Sequence, residues 1–190
     1  MKRQAARKNR LVIGRDGWLI GAPRIASPNF DARPQGTVMD LVVIHNISLP
    51  PGEFGGPGVV ELFTNRLDAD AHPFYATIHQ LAVSSHFLIR RDGDLIQFVS
   101  CDDRAWHAGA SIWEGRERCN DFSIGVELEG TDDVPFEAAQ YDRLAALTQA
   151  IRGRYPIRGI MGHSDIAPGR KTDPGPHFDW RRFLGMIGTS

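Results

Sequence analysis

Two hydrophobic periodicities alternate along this chain of 190 residues. Short β-branched and aliphatic runs bounded by Gly, Pro or charged residues are typical of buried strands. Such runs cover residues 38–45 (VMDLVVIH), 122–129 (FSIGVELE) and 158–163 (RGIMGH). Residues 83–100 (VSSHFLIRRDGDLIQFVS) predict two more strands around a turn at Asp92, because Asp-Gly between apolar runs is a strong hairpin signal.

Helical spacing occurs in two segments. Residues 59–67 (VVELFTNRL) predict a short helix after the Gly/Pro-rich loop at 50–58. Residues 135–152 predict a longer one, with Pro135 in its first turn and Gly153 after its end. Its predicted buried face consists of Leu144, Leu147, Thr148 and Ile151. Strands interspersed with helices predict a single α/β domain, with a central mixed β-sheet flanked by α-helices.

Composition and charge are those of an ordinary globular protein. The chain is 42% hydrophobic and 24% charged, and its length fits one domain. A formal net charge of −1 argues against broad attraction to nucleic acid or to an anionic membrane. Basic residues concentrate at the start (MKRQAARKNR), so we expect a flexible basic segment at 1–16 and the folded domain at 17–190.

The sequence gives no sign of export or membrane insertion. The apolar run at 11–13 is shorter than the ~7–15 residues of a signal peptide, and no run reaches the ~20 residues of a membrane span. Two cysteines, Cys101 and Cys119, form no disulfide framework and suit a reducing compartment. We therefore expect a cytoplasmic protein with no membrane, nucleic-acid or obligate protein partner.

Three potential metal ligands stand at the ends of predicted strands or in a long loop. His45 and His163 each end a strand, where functional loops begin. Asp173 follows in GHSDIAPGRKTDPGP (162–176), a stretch whose Gly and Pro content indicates an irregular loop. Two imidazoles and a carboxylate suit catalytic Zn²⁺ and leave a fourth position for water. Ordinary hydrogen-bonded histidines are the alternative, because the seven histidines include no HExxH motif.

Two charged side chains add hydrolytic chemistry to this set. Strand alternation places Glu127 and Glu129 opposite an apolar face, so each must meet water or a cleft. We interpret Glu129 as solvated, and Glu127 as a general base beside a zinc-activated water. Lys171 lies two residues before Asp173 and would face a developing oxyanion. The alternatives are a solvated sheet face for Glu127 and an ordinary surface lysine.

The remaining histidines are assigned by context. His107, beside Trp106 in RAWHAG, is a candidate for the wall of the cleft, with simple packing as the alternative. His86, in the predicted hairpin, is expected to be buried and hydrogen-bonded. We expect structural or exposed positions for His72, His79 and His177.

Six stretches of the chain resemble the zinc-dependent N-acetylmuramoyl-L-alanine amidases, and among them the AmpD-like subgroup of 1,6-anhydro-N-acetylmuramyl-L-alanine amidases. They cover nearly everything after about residue 16. The stretches are GWLIGAPRIASPNFDARP (17–34), VVIHNISLPPGEFGGP (42–57), HFLIRRDG (86–93), RAWHAG (104–109), GRERCNDFSIGVELEGTD (115–132) and GHSDIAPGRKTDPGPHFDW (162–180).

The resemblance implies a zinc amidase domain over 17–190, with long Gly/Pro-rich loops around a zinc cleft. It implies that His45, His163 and Asp173 bind one zinc ion per chain, that Glu127 activates the water and that Lys171 stabilises the tetrahedral intermediate. The implied substrate is a small-molecule muropeptide. The amide between the lactyl group of 1,6-anhydro-N-acetylmuramic acid and L-alanine would be hydrolysed, in cytoplasmic peptidoglycan recycling.

The resemblance also implies substrate contacts. Asn46 matches an asparagine that contacts the sugar, and Arg118 matches an arginine that binds substrate carboxylate or lactyl oxygens. With His107 they are the predicted substrate-binding residues. One departure concerns the run before the strand histidine. AmpD-like chains have Leu-Arg-Val-Ser there, whereas this chain has Leu81-Ala82-Val83-Ser84, so recognition of the peptide or sugar acid is expected to differ.

Three alternatives to this function stay open at the level of sequence. A non-catalytic module that binds cell-wall fragments would be indicated by loss of a zinc ligand or of the Glu/Lys pair. A zinc hydrolase for another acylated amino sugar or peptide is kept open by Ala82. An amidase acting on intact murein outside the cytoplasm would require an export signal.

Overall fold

The computed structural model describes residues 11–188, and within that range the chain forms nine strands, five α-helices and a short 3₁₀ helix at Cys119–Asp121. The strands are β1 (Phe30–Asp31), β2 (Leu41–Ile47), β3 (Phe87–Ile89), β4 (Leu95–Gln97), β5 (Arg104–Ala105), β6 (Ile112–Trp113), β7 (Arg116–Glu117), β8 (Ser123–Glu129) and β9 (Gly159–Gly162). The helices are α1 (Gly58–Phe63), α2 (Pro73–Ile78), α3 (Ala138–Arg152), α4 (His163–Ile166) and α5 (Trp180–Met186).

A five-stranded sheet in the order β4-β3-β8-β2-β9 forms the centre of the domain. Strands β3, β8, β2 and β9 run parallel to their neighbours, and β4 pairs antiparallel with β3. The predicted α/β fold with a central mixed sheet is therefore confirmed. The hairpin turn is also as predicted, since Gly93 after Asp92 has a φ of 87°, a backbone conformation that favours glycine. Two small antiparallel pairs, β1 with β5 and β6 with β7, lie outside this sheet.

The main core lies between one face of the sheet and α3. Alternation along β8 directs Ile124, Val126 and Leu128 to this face, where all three are fully buried. The predicted face of α3 is buried as well, including Leu144 and Leu147. Burying each such aliphatic side chain contributes about 1.5–3 kcal/mol. Because these three side chains of β8 face the core, the alternate side chains, Glu127 among them, point to the opposite face of the sheet.

The opposite face of the sheet changes character along its strands. Near their amino ends it is apolar, because Leu41 and Val43 of β2 pack with Phe122 and Ile166 in a second cluster. Further along the same face, β2 presents His45, which is 2% exposed. The same face thus passes from core to candidate site towards the carboxyl ends of the parallel strands.

Several element boundaries differ from the sequence prediction. Strand β2 continues for two residues beyond His45, and α1 ends at Phe63, because Asn65 after it has a φ of 56°. The predicted loop at 162–176 contains the one-turn helix α4, which His163 begins. Helix α3 starts at Ala138, where the Glu137 N–H donates to Gln140 Oε1 at 3.0 Å.

The prediction that Glu129 is solvated is wrong, because Glu129 is only 2% exposed. Its Oε1 lies 2.7 Å from Arg90 Nη1 and accepts from Gly55 N–H at 2.7 Å, and its Oε2 accepts from Arg91 N–H at 3.2 Å. A carboxylate is stable in a buried position only with such partners. The strand pattern showed which side Glu129 takes but not the loop and the arginines that cover it.

The amino-terminal part of the chain is described from residue 11. Ile13 is 7% exposed, belongs to the main core and forms an isolated bridge with Leu19, so residues 11–16 pack on the domain. Residues 1–10 of the predicted flexible segment lie outside the described range. Among residues 11–188, no helix has the length and apolar character needed to cross a membrane.

We expect Glu129→Gln to lower the free energy of unfolding by roughly 3 kcal/mol, because it leaves the largely buried Arg90 charge without its partner. Urea denaturation followed by circular dichroism measures the change. Glu114→Gln is the control, since the Glu114–Arg158 pair is 51% and 62% exposed and should contribute about 0–1 kcal/mol. Equal effects of the two substitutions would contradict a structural role for the buried pair.

Candidate active site

The register of three adjacent parallel strands brings the candidate residues together. His45 of β2 pairs directly with Glu127 of β8. On the other side of β2, Val43 pairs with Met161 of β9, so His163 lies level with His45 just beyond the end of β9. Ligand sites in α/β sheets form at the carboxyl ends of parallel strands. The candidate site occupies this position.

Three potential metal-ligand atoms form a small triangle at this edge. His45 Nδ1 lies 3.0 Å from His163 Nδ1 and 2.9 Å from Asp173 Oδ2, and the third side, from His163 Nδ1 to Asp173 Oδ2, is 3.0 Å. Zinc bonds of ~2.0–2.1 Å in a tetrahedron need donors about 3.3 Å apart. The donors therefore have the chemistry, and nearly the spacing, of a site for one zinc ion.

The loop after His163 folds back to complete the triangle. Ser164 N–H donates to the Asp173 carbonyl at 2.9 Å, and Lys171 N–H donates to the Ala167 carbonyl at 3.1 Å. Burial acts to raise the pKa of the Asp173 carboxyl, but the contacts of its Oδ2 with the His163 and His45 imidazoles outweigh burial and hold that pKa below its usual range. Asp173 is thus a carboxylate at neutral pH, as a metal ligand must be.

Glu127 faces the triangle from the neighbouring strand. It is 7% exposed, and its Oε2 atom is buried without a hydrogen-bond partner among the described residues. Burial raises the pKa of Glu127 well above its ordinary value, the charge of Asp173 adds to this, and the charge of Lys171 opposes it. A buried carboxyl with an unpaired oxygen and a strongly shifted pKa is typical of a catalytic acid or base.

A cavity of about 1010 Å³ opens over these residues. The three ligands and Glu127 line it together with His107, Lys171 and Asn46, whose side-chain amide donates to Asp132 Oδ1 at 2.7 Å. An apolar wall completes one side. Its residues include Leu62, Phe63, Phe74, Ile78, Leu81 and Val83. The cavity can therefore take a ligand with both polar and apolar parts.

Arg118 lies apart from this group. Its side chain is 68% exposed, its nearest ion-pair partner is Asp121 at 3.4 Å, and it does not line the cavity in the described structure. Its assignment as a substrate ligand stays a prediction.

Ala82 is exposed, while its neighbours Leu81 and Val83 are in the cavity wall. The departure from the Leu-Arg-Val-Ser pattern thus falls at the rim of the cavity.

Two site residues were not identified from the sequence. Asp132, in the loop after β8, bonds Asn46, and Arg170 donates from Nη2 to the Ala108 carbonyl at 2.6 Å. Both lie within stretches quoted for the resemblance. Single charged residues in loops are usually solvated, so only their contacts mark them as part of the site.

The family model of the N-acetylmuramoyl-L-alanine amidases matches residues 35–176. The chain belongs to this family. The AmpD 1,6-anhydro-N-acetylmuramyl-L-alanine amidase of Enterobacter cloacae is 60% identical over 177 residues, which are 92% of this chain and 95% of that protein. A crystal structure of a selenomethionine derivative of AmpD has a TM-score of 0.89 at 57% identity, covering 90% of this chain and 97% of that one. The resemblance to AmpD-like amidases is thereby confirmed.

A more distant solved relative carries a ligand. The amidase AmiD of Escherichia coli was solved with the substrate anhydro-N-acetylmuramic acid-L-Ala-D-γ-Glu-L-Lys. It matches with a TM-score of 0.58 at 30% identity, over 95% of this chain and 66% of that one. The family accordingly includes a structure of this fold that contains a muropeptide.

His86 is fully buried and hydrogen-bonded, as predicted. Its Nδ1 accepts from Gly125 N–H at 2.9 Å, and its Nε2 lies 3.1 Å from the Asp103 carbonyl. Burial, reinforced by the charge of Arg33, lowers the pKa of His86 to about 3. The ring is therefore neutral in the folded protein and lies outside the candidate ligand triangle.

We expect His86 to make the protein acid-sensitive. Its folded pKa of about 3 lies below the ordinary 6.5, so the unfolded chain binds the proton first as the pH falls. The stabilisation present above pH 6.5 is lost progressively below it, by about 1 kcal/mol at pH 5.5 for this group alone. His86→Asn keeps an acceptor for Gly125 N–H but does not titrate. Between pH 7.5 and 5.5 the free energy of unfolding of this variant, measured by urea denaturation, should fall by about 1 kcal/mol less than that of the wild type. An equal fall in both proteins would refute this role.

Proposed function

We propose that this protein is a zinc-dependent 1,6-anhydro-N-acetylmuramyl-L-alanine amidase that acts on cytoplasmic muropeptides in peptidoglycan recycling. One observation supports this most strongly: two imidazole nitrogens and a carboxylate oxygen converge within 3.0 Å of one another beside Glu127. The AmpD relatives supply the substrate class, since their names specify the anhydro-muramyl amide.

His45, His163 and Asp173 are the residues that would hold the ion. Both imidazoles present Nδ1 to the same point, and the pKa of His45 is lowered to about 4, mainly by burial, so its ring is neutral and its lone pair is free to coordinate. When bound there, zinc would polarise the scissile carbonyl and lower the pKa of the attacking water.

Glu127 would move the protons of the reaction. Its unpaired Oε2 would accept a proton as water attacks the carbonyl carbon, forming the new C–O bond. The same oxygen would then deliver that proton to the alanine nitrogen as the C–N bond breaks. Burial raises the pKa of Glu127, which favours the return of the proton to the leaving nitrogen in the second half of this cycle.

Lys171 would stabilise the negative charge that develops on the carbonyl oxygen. It is exposed and lines the cavity on the loop that also carries Asp173. A preorganised cation directed at a developing oxyanion contributes a few kcal/mol to the transition state.

The cavity suits a small muropeptide as the substrate. Asn46 and Asp132 offer an amide and a carboxylate to sugar or peptide groups near the ligands, and Phe74, Ile78 and Leu81 form an apolar wall. Arg118 is proposed as a further contact to substrate carboxylates, through an exposed guanidinium outside the cavity. No obligate protein partner is part of the proposal.

Incubation with anhydro-muramyl tripeptide should release free tripeptide, detected by mass spectrometry, and a chelator should abolish the release. Restoring zinc should restore it, because the proposed chemistry needs the cation. Equal release with and without chelator would exclude zinc dependence. Cleavage at another bond, or of no bond, would exclude the assigned substrate.

We expect Glu127→Gln to lower kcat by about 10²–10⁴-fold while zinc affinity changes little, because the amide keeps the shape of the carboxyl but cannot accept the proton. Stopped-time assays with the tripeptide and zinc titration measure the two quantities. Glu114→Gln, on the surface, should leave both unchanged. Wild-type turnover in Glu127→Gln would show that the base is another group.

A further inference from the structure

We propose that the His107–Ala108 segment, held in place by Asn120, is a positioning element that orients both histidine ligands of the site. The proposal rests on the zinc amidase function proposed above. His107, Ala108 and Asn120 take no part in the proposed proton transfers, and the proposal gives them a role behind the candidate ligands.

The first contact joins His107 to His45. His45 Nε2 lies 2.9 Å from His107 Nδ1, and the two rings meet edge to face with centroids 5.0 Å apart. A neutral imidazole that coordinates through Nδ1 carries its proton on Nε2. His45 would therefore donate and His107 would accept, which fixes the plane of the His45 ring with Nδ1 directed at His163 and Asp173.

The second contact joins the next residue to the other ligand. His163 Nε2 lies 3.0 Å from the Ala108 carbonyl oxygen, which can only accept. A hydrogen bond here requires the proton on His163 Nε2 and leaves the lone pair of Nδ1 directed at the triangle. Two consecutive residues thus serve the outer nitrogens of both rings, and such contacts are known to set the orientation and basicity of metal-bound histidines.

The backbone of this segment is itself held by one side chain. Asn120 Oδ1 accepts from His107 N–H at 3.1 Å and from Ala108 N–H at 2.7 Å. The Ala108 carbonyl also accepts from Arg170 Nη2 at 2.6 Å. Because both amide protons bond to one oxygen, the segment has little freedom to rotate.

Glycine at position 125 gives the His107 ring its place against the sheet. A Cβ added to Gly125 would lie 2.6 Å from His107 Cγ, well inside van der Waals contact. The His107 ring therefore packs directly on the backbone of β8, two residue pairs along the strand from His45 and Glu127. A glycine in the middle of a central strand is explained by this close approach.

These contacts change the role assigned to His107. It lines the cavity, but both of its ring nitrogens already have partners, His45 at Nδ1 and the hydroxyl of Ser123 at Nε2, 3.1 Å away. A ring with both nitrogens engaged has no polar atom left for a substrate. His107 is accordingly a positioning residue rather than the substrate-binding residue that the sequence predicted.

The matched pair His107→Leu and His107→Asn tests this role. The Asn Oδ1 atom takes the place of the His Nδ1 acceptor, whereas Leu has similar size but cannot accept. Chelator competition with zinc should give a dissociation constant about 10–100-fold higher for His107→Leu and within a few-fold of wild type for His107→Asn. In zinc-loaded protein with ¹⁵N-labelled histidine, a coupling between His45 Nε2–H and His107 Nδ1 should be visible in the wild type.

The outcomes separate this proposal from the function on which it rests. If the wild type binds zinc and His107→Leu binds it with the same affinity, the positioning role is overturned but the proposed function is not. Equal weakening in the Leu and Asn variants would also overturn it, because volume rather than the acceptor would then matter. No zinc binding by the wild type would overturn the proposed function and this inference together. If His107→Leu does not fold, Asn120→Leu takes its place, and unchanged zinc affinity there would contradict the proposal.

Discussion

The parallel pairing of β8, β2 and β9 determines where His45, Glu127 and His163, the strand-borne side chains of the candidate site, lie. With His45 opposite Glu127 and His163 one step beyond β9, three chain segments separated by up to 118 residues meet at one edge of the sheet. A shift of one residue in either pairing would turn a candidate ligand or the candidate base into the core on the other face. The apolar packing of α3 against Ile124, Val126 and Leu128 opposes such a shift, so the core enforces the geometry of the site.

The site concentrates polar groups that are costly to bury. His45, His107 and His86 are buried neutral rings, and burial is the largest cause of the lowered pKa of each. Their nitrogens nevertheless have partners, through Asp173, Ser123 and the amide of Gly125. The exception is Glu127, whose Oε2 has none among the described residues. An unsatisfied buried oxygen is unfavourable for stability, and in Glu127 it lies in the wall of the candidate cavity.

The sequence allowed the fold class to be predicted, because it depends on local patterns, and the same patterns selected His45, His163 and Asp173, which the structure brings together. Alternation along β8 placed Glu127 opposite the core, and strand ends located His45 and His163. Roles that depend on contacts distant in sequence were predicted less well. Glu129 follows the same alternation as Glu127, yet it is covered by Arg90 and a loop. His107 was predicted to bind substrate and does line the cavity, but only the three-dimensional structure shows that its ring nitrogens also lie within hydrogen-bond distance of His45 and Ser123.

The central claim is that one zinc ion is held by the triangle of His45 Nδ1, His163 Nδ1 and Asp173 Oδ2. A crystal structure with anomalous data collected on both sides of the zinc absorption edge tests it most directly. We expect a single strong peak per chain, about 2.0–2.1 Å from those three atoms and adjacent to Glu127. A peak bound by other residues, or no peak in zinc-supplemented crystals with the three side chains directed apart, would contradict the account.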